Sequence, residues 1–138
     1  MYATPIDITD FDARRLNDVI AQYEGLPVSG RREVNRLRRE LERARIVASK
    51  EVSERVVTMN SEVVLRDLEN EQEIVCRLSF PDEANVDAGR LSVLAPVGTA
   101  ILGCREGSVV EWEGLAGTRR IRIEKILYQP EAAGDYHL

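Results

Sequence analysis

The chain opens with two apolar stripes at helical spacing and then changes period. Ala13, Leu16, Ile20 and Tyr23 recur at intervals of three, four and three residues, which places them on one face of a helix. Thr9 stands ahead of this stripe as an N-cap, and Asp10 and Asp12 fall where the positive end of the helix dipole favours acids. The segment Gly25-Leu26-Pro27-Val28-Ser29-Gly30 breaks the pattern, after which Val34, Leu37, Leu41 and Ala44 repeat the same spacing. Two matched stripes joined by a short Gly/Pro loop predict an antiparallel helical hairpin, a short coiled coil within residues 1–48.

Beyond about Ala48 the pattern alternates. Val56–Met59 and Val63–Leu65 read as strands, with Asn60 and Ser61 between them. Ile74, Cys76, Leu78 and Phe80 alternate with polar neighbours, as a half-buried strand requires. A polar loop over Pro81–Gly89 leads to a short strand at Leu91–Leu94. Pro96 suits a first helical position and Gly103 a stop, so a short helix is predicted between them. Val109, Val110 and Trp112 lead through a hairpin at Gly114 and Gly117 to a last strand holding Ile121, Ile123, Ile126 and Leu127. Five or six strands around one short helix make an α+β domain over residues 52–138. The tail from Tyr128 to Leu138 reads as irregular, with Tyr128, Pro130 and Tyr136 expected to pack back on the body.

Composition narrows the class. With 43% hydrophobic and 31% charged residues, 138 residues can bury a core and remain soluble. No run approaches the roughly 20 apolar residues of a membrane span. The N-terminus lacks a basic segment followed by an apolar one, so a cytoplasmic location without membrane partners is expected. In that compartment Cys76 and Cys104 are expected to be small buried residues rather than a disulfide. The net charge of −5 conceals an asymmetry. Residues 31–45 carry seven arginines against three glutamates, whereas residues 51–138 carry nine basic residues against sixteen acidic ones. A basic stripe on an acidic body marks a surface for nucleic acid or an acidic partner, or simply a solvated helix face paired with the acids at 10, 12 and 18.

No catalytic constellation emerges. The only histidine, His137, is penultimate, and both cysteines sit in apolar surroundings that disfavour a thiolate. Glu24 is the only acid near the hairpin loop, and the next, Glu33, lies nine residues on. A lone carboxylate is poor support for a catalytic Mg²⁺. Gly114-Leu115-Ala116-Gly117 lacks the lysine of a phosphate-binding loop, and the scattered aromatics do not form a base-stacking platform. No catalytic residue, metal or cofactor is expected.

The segment Leu91-Ser92-Val93-Leu94-Ala95-Pro96-Val97-Gly98-Thr99-Ala100-Ile101-Leu102-Gly103, followed by Gly107, resembles the signature of the Gre transcript-cleavage factors. Val57–Val63 and the ending Tyr128–Tyr136 are similar to one subgroup of that family, the Rnk regulators, and the resemblance runs from Ile8 to the last residue. It implies a coiled-coil hairpin attached to an FKBP-like β domain. It also implies binding to the RNA polymerase core, with the β domain on the rim of the secondary channel and the hairpin entering it. A Rnk-like protein is expected to compete with Gre factors without stimulating cleavage. Leu91, Ser92, Ala95, Pro96, Val97 and Gly98 are then the expected polymerase contacts. Arg31, Arg32, Arg36 and Arg39 would line the outer face of the second helix toward acidic channel walls.

The expected hairpin tip is Glu24, Gly25, Leu26 and Pro27, with one acid on a first helix of roughly 24 Å, shorter than Gre hairpins. Two departures from the Gre pattern stand out: Ala95 replaces the usual serine before the proline, and Glu106-Gly107-Ser108 replaces the usual Gly-Asp arrangement. Two other readings stay beside this one. An FKBP-like prolyl isomerase would need a ring of aromatics, where this domain offers Phe80, Trp112, Tyr128 and Tyr136. A nucleic-acid binder would use the arginine face, although no sequence-specific nucleic-acid partner is expected. A monomer is expected.

Overall fold

A computed structural model describes residues 5–24, 31–114 and 117–138. A short strand, β1 (Asp7–Thr9), leads into helix α1 (Asp10–Tyr23). Thr9 caps α1, its hydroxyl accepting the Asp12 N–H at 3.0 Å, as the sequence predicts. Helix α2 (Arg31–Arg43) follows and ends at strand β2 (Arg45–Val47), which pairs in parallel with β1. Leu16 and Ile20 of α1 and Val34 and Leu37 of α2 are buried on the predicted stripes.

The remainder is a five-stranded sheet. Its strands are β3 (Glu62–Asp67), β4 (Glu73–Ser79), β5 (Arg90–Ser92), β6 (Val109–Gly114) and β7 (Gly117–Tyr128). Their order is β5-β4-β3-β7-β6; β5 joins β4 in parallel and the other neighbours are antiparallel. Helix α3 (Pro96–Ile101) begins at the predicted proline, and a last turn, α4 (Pro130–Ala133), closes the chain. The fold is therefore mixed helix and sheet. One continuous buried cluster joins Ile6, Ile8, Leu16 and Leu37 of the N-terminal part to Met59, Leu65, Leu78 and Ile123 around the sheet. No helix among the described residues is long and apolar enough to cross a membrane.

Two glycines hold the parts together. A Cβ on Gly98 would lie 2.1 Å from the Ser92 carbonyl oxygen, so only glycine lets α3 sit against the end of β5. Gly103 adopts φ +77°, and a Cβ there would meet the Asp7 carbonyl at 2.9 Å. It allows the Asp7 N–H to reach the Gly103 carbonyl at 3.1 Å, a direct link between β1 and the turn after α3.

Three expectations need correction. Val56–Met59 is not a strand but a buried connection with a single bridge from Val56 to Arg105. Its backbone is satisfied locally: the Val57 N–H donates to Cys104, and those of Thr58 and Met59 donate to the Ser61 hydroxyl and the Asp12 carboxylate. Burial on all sides produces the same β-branched run as a strand does. The tail is not irregular throughout, since Gln129 caps α4 and Gly134, at φ 82°, ends it. The acids of α1 do not pair with the arginines of α2 as a seam. Asp12 turns into the core, Asp10 accepts from Ser49, and the one pair between the helix ends among the described residues is Arg38–Glu24 at 3.5 Å.

Candidate functional site

The segment from β5 into α3 is a rigid turn with an exposed crest. The Val93 N–H donates to Ser79 at 2.9 Å, which anchors the turn to β4. The Ser92 hydroxyl accepts the Leu94 N–H at 3.0 Å, and the Thr99 hydroxyl donates to the Val93 carbonyl at 2.6 Å. These bonds, with the Gly98 contact beneath them, fix the backbone. Pro96 is exposed at the crest, while Leu91, Ser92, Leu94, Ala95 and Val97 are half-buried around it and Gly98 is buried. The segment thus presents a small apolar relief whose shape is set before any partner arrives.

The basic residues divide. Arg31, Arg32 and Arg39 are exposed on α2. Arg36 is instead half-buried, turned toward the turn ahead of α3, where its Nη2 donates to the Leu94 carbonyl at 3.4 Å. The structure therefore brings one of the four arginines to the candidate docking segment and leaves the other three in solvent. Glu24 is exposed at the end of α1; Gly25, Leu26 and Pro27 lie outside the described residues.

A buried polar cluster escapes the sequence reading. Asp12 is 1% exposed and accepts the Met59 N–H at 3.0 Å and Arg15 Nη2 at 2.6 Å. Beside it, Glu131 of α4 accepts the Thr58 hydroxyl at 2.7 Å, and Thr58 also shares a hydrogen bond with Ser61. Burial raises the Asp12 carboxyl above its ordinary value, against the lowering pull of the Met59 N–H and Arg15. Burial likewise raises Glu131, with the Thr58 hydroxyl opposing and Asp12 adding. These acids join α1, the connection before β3 and the tail, and burial removes them from chemistry with a substrate. In sequence Asp12 looks like an ordinary first-turn acid, and nothing local marks it as buried.

Burial pushes the Cys76 thiol up to about 11 and the Cys104 thiol up to about 12, so both stay protonated and unreactive at neutral pH. Among the described residues no group of three His, Cys, Asp or Glu is placed to hold a metal ion.

The proline-crested turn lies within residues 50–128, which match the family described as transcription elongation factor GreA/GreB, C-terminal; residues 4–47 match the Rnk N-terminus. The chain belongs to the Rnk branch of the GreA/GreB family. It is 40% identical over 136 residues to the regulator of nucleoside diphosphate kinase of Escherichia coli, with 96% of both chains covered. It is 36% identical over 90 residues to the transcription elongation factor GreA of Desulfotalea psychrophila, an alignment covering 65% of this chain and 56% of that one. The solved structure of a GreA/GreB elongation factor from Nitrosomonas europaea superposes with a TM-score of 0.70 at 35% identity, covering 91% of this chain and all of that one. This Rnk-type chain is accordingly a transcription-related regulator in its family placement. The GreA/GreB match contains β5, the turn and α3, whereas the Rnk match contains α1 and α2.

Proposed function

We propose that the protein regulates transcription by binding the RNA polymerase core at its secondary channel. In this reading residues 52–138 form an FKBP-like docking domain, and the helical pair within residues 1–48 acts as a short coiled coil that occupies the channel. Leu91, Ser92, Ala95, Pro96, Val97 and Gly98 make or support the main contact, and Arg31, Arg32 and Arg39 face acidic channel walls. The protein excludes Gre factors without stimulating cleavage and works as a monomer in the cytoplasm.

The observation that carries the reading is the turn itself. It is a family signature segment whose proline is exposed while its glycine and threonine are buried beneath it. Its one exposed apolar residue, Pro96, stands on a backbone fixed by the Ser92 and Thr99 hydrogen bonds and is open to a partner. The prolyl isomerase alternative is not favoured, because the aromatics do not gather. Among the described residues Phe80 lies under Arg15, Tyr128 bonds Asp135 and Tyr136 lies near Lys50, so these three do not converge on one cavity.

Ala95→Glu tests the docking contact at a half-buried position that makes no side-chain hydrogen bond. The variant should lose competition with a Gre factor for polymerase core while keeping its thermal melt. Undiminished competition would overturn the assignment.

A further inference from the structure

A groove on the outer side of α1 lies apart from the Leu91–Gly98 turn and from the arginines of α2. One wall is the α1 face carrying Asp18, Val19 and Tyr23; the other is the turn after β4, from Phe80 to Glu83. They enclose an open cleft of about 520 Å³. Neither the Leu91–Gly98 segment nor the arginines of α2 line it.

Its floor is apolar and its rim is acidic. Val19 is buried, and Tyr23, Phe80 and Pro81 are half-buried. Asp18, Asp82 and Glu83 are exposed on the two sides, and none has an ion-pair partner among the described residues. Among the described residues the one cation in the walls, Arg15, is already committed. Its guanidinium sits 3.9 Å from the Phe11 ring centre and 4.7 Å from that of Phe80, and its Nη2 serves Asp12 and the Leu138 carbonyl. Nearby Arg90 spends its Nε on the Glu83 carbonyl rather than its carboxylate.

Three uncompensated carboxylates around an aromatic floor define the occupant's chemistry. A nucleic-acid backbone would be repelled, whereas a lysine or arginine would gain both the carboxylates and a ring face. From Arg15 to Tyr23 the α1 wall rises about 12 Å, the span of about four extended residues. We propose that this groove docks a short extended segment of a partner protein in which Lys or Arg residues flank an apolar side chain. This gives the molecule a protein contact distinct from the Leu91–Gly98 docking turn.

The test uses the full chain and a labelled hexapeptide, Arg-Lys-Leu-Phe-Lys-Arg, followed by fluorescence anisotropy at low salt. Binding is expected, with amide shift changes in NMR at Asp18, Tyr23 and Glu83. The double variant D18K/E83K should bind about tenfold more weakly, the size expected from reversing two exposed rim charges. Tyr23→Ala should weaken binding as well, while Ala95→Glu should bind like the parent and so separate this site from the docking turn. Replacing Leu-Phe in the peptide by Gly-Ser should abolish binding. Equal binding by D18K/E83K, by the Gly-Ser peptide or by an acidic counterpart would overturn the proposal, as would shift changes confined to another face.

Discussion

Glu131 is 8% exposed and hydrogen-bonded to a neutral hydroxyl, an unusual setting for a carboxylate. Its ordinary value is 4.5 and that of Asp12 is 3.8; the fold raises both, chiefly by burial. Each folded-state value lies above the unfolded one, so the folded chain holds more protons in the interval between them. The stability from these groups is complete below the unfolded values and declines as pH rises through the folded ones. Glu131→Gln keeps an acceptor for Thr58 and removes the buried charge. Its urea midpoint at neutral pH should equal or exceed that of the parent, and its stability should fall less as pH rises above the ordinary value of 4.5. A lower midpoint at neutral pH would show that the charge itself is needed. Gly98 makes the opposite case, where one methyl group is too many. Gly98→Ala would press a carbon onto the Ser92 carbonyl and should cost about 1–3 kcal/mol, read as a lower melting temperature.

Among elements, the β1–β2 pair shows which forces hold the helical part in place. Arg45 grips Asp7 through two hydrogen bonds at 3.0 and 2.9 Å, but its side chain is 72% exposed, where water and salt screen the pair. Ile8, on the same strand, is 1% exposed within the core. Arg45→Ala should leave the urea midpoint close to that of the parent, while Ile8→Ala should cost about 2–5 kcal/mol. Similar losses for both would give the ion pair a larger share. The helices, α3 and most strands were legible because their apolar periods and the Thr9, Pro96 and Gly103 signals are local. The parallel pairing of β1 with β2 was not, because three-residue strands carry too little pattern and their partner lies 38 positions away. The same holds at the candidate site. The Pro96 turn announces itself in sequence, whereas the inward turn of Arg36 toward Leu94 depends on how α2 lies against α3.

For the whole molecule, the continuous core makes the helical pair and the sheet one mechanical body, so reach is set by helix length. Leu16 is fully buried in that shared cluster. Leu16→Ala should therefore shift the helix signal and the Trp112 fluorescence to the same lower midpoint, by about 2–5 kcal/mol. Two separate midpoints would mean that the parts unfold independently. Reach bears directly on the proposed lack of cleavage. The described α1 has 14 residues, about 21 Å, and carries Glu24 as the single acid at its end. Length and chemistry both argue against supporting a metal at a distant active site, and they can be separated. Leu26→Asp with Val28→Glu supplies acids without lengthening either helix. If reach is limiting, this variant will still compete with a Gre factor and still leave backtracked RNA uncut in a stalled elongation complex. Cleavage by the variant alone would assign the deficit to the missing carboxylates, and cleavage by the parent would remove the non-catalytic reading altogether.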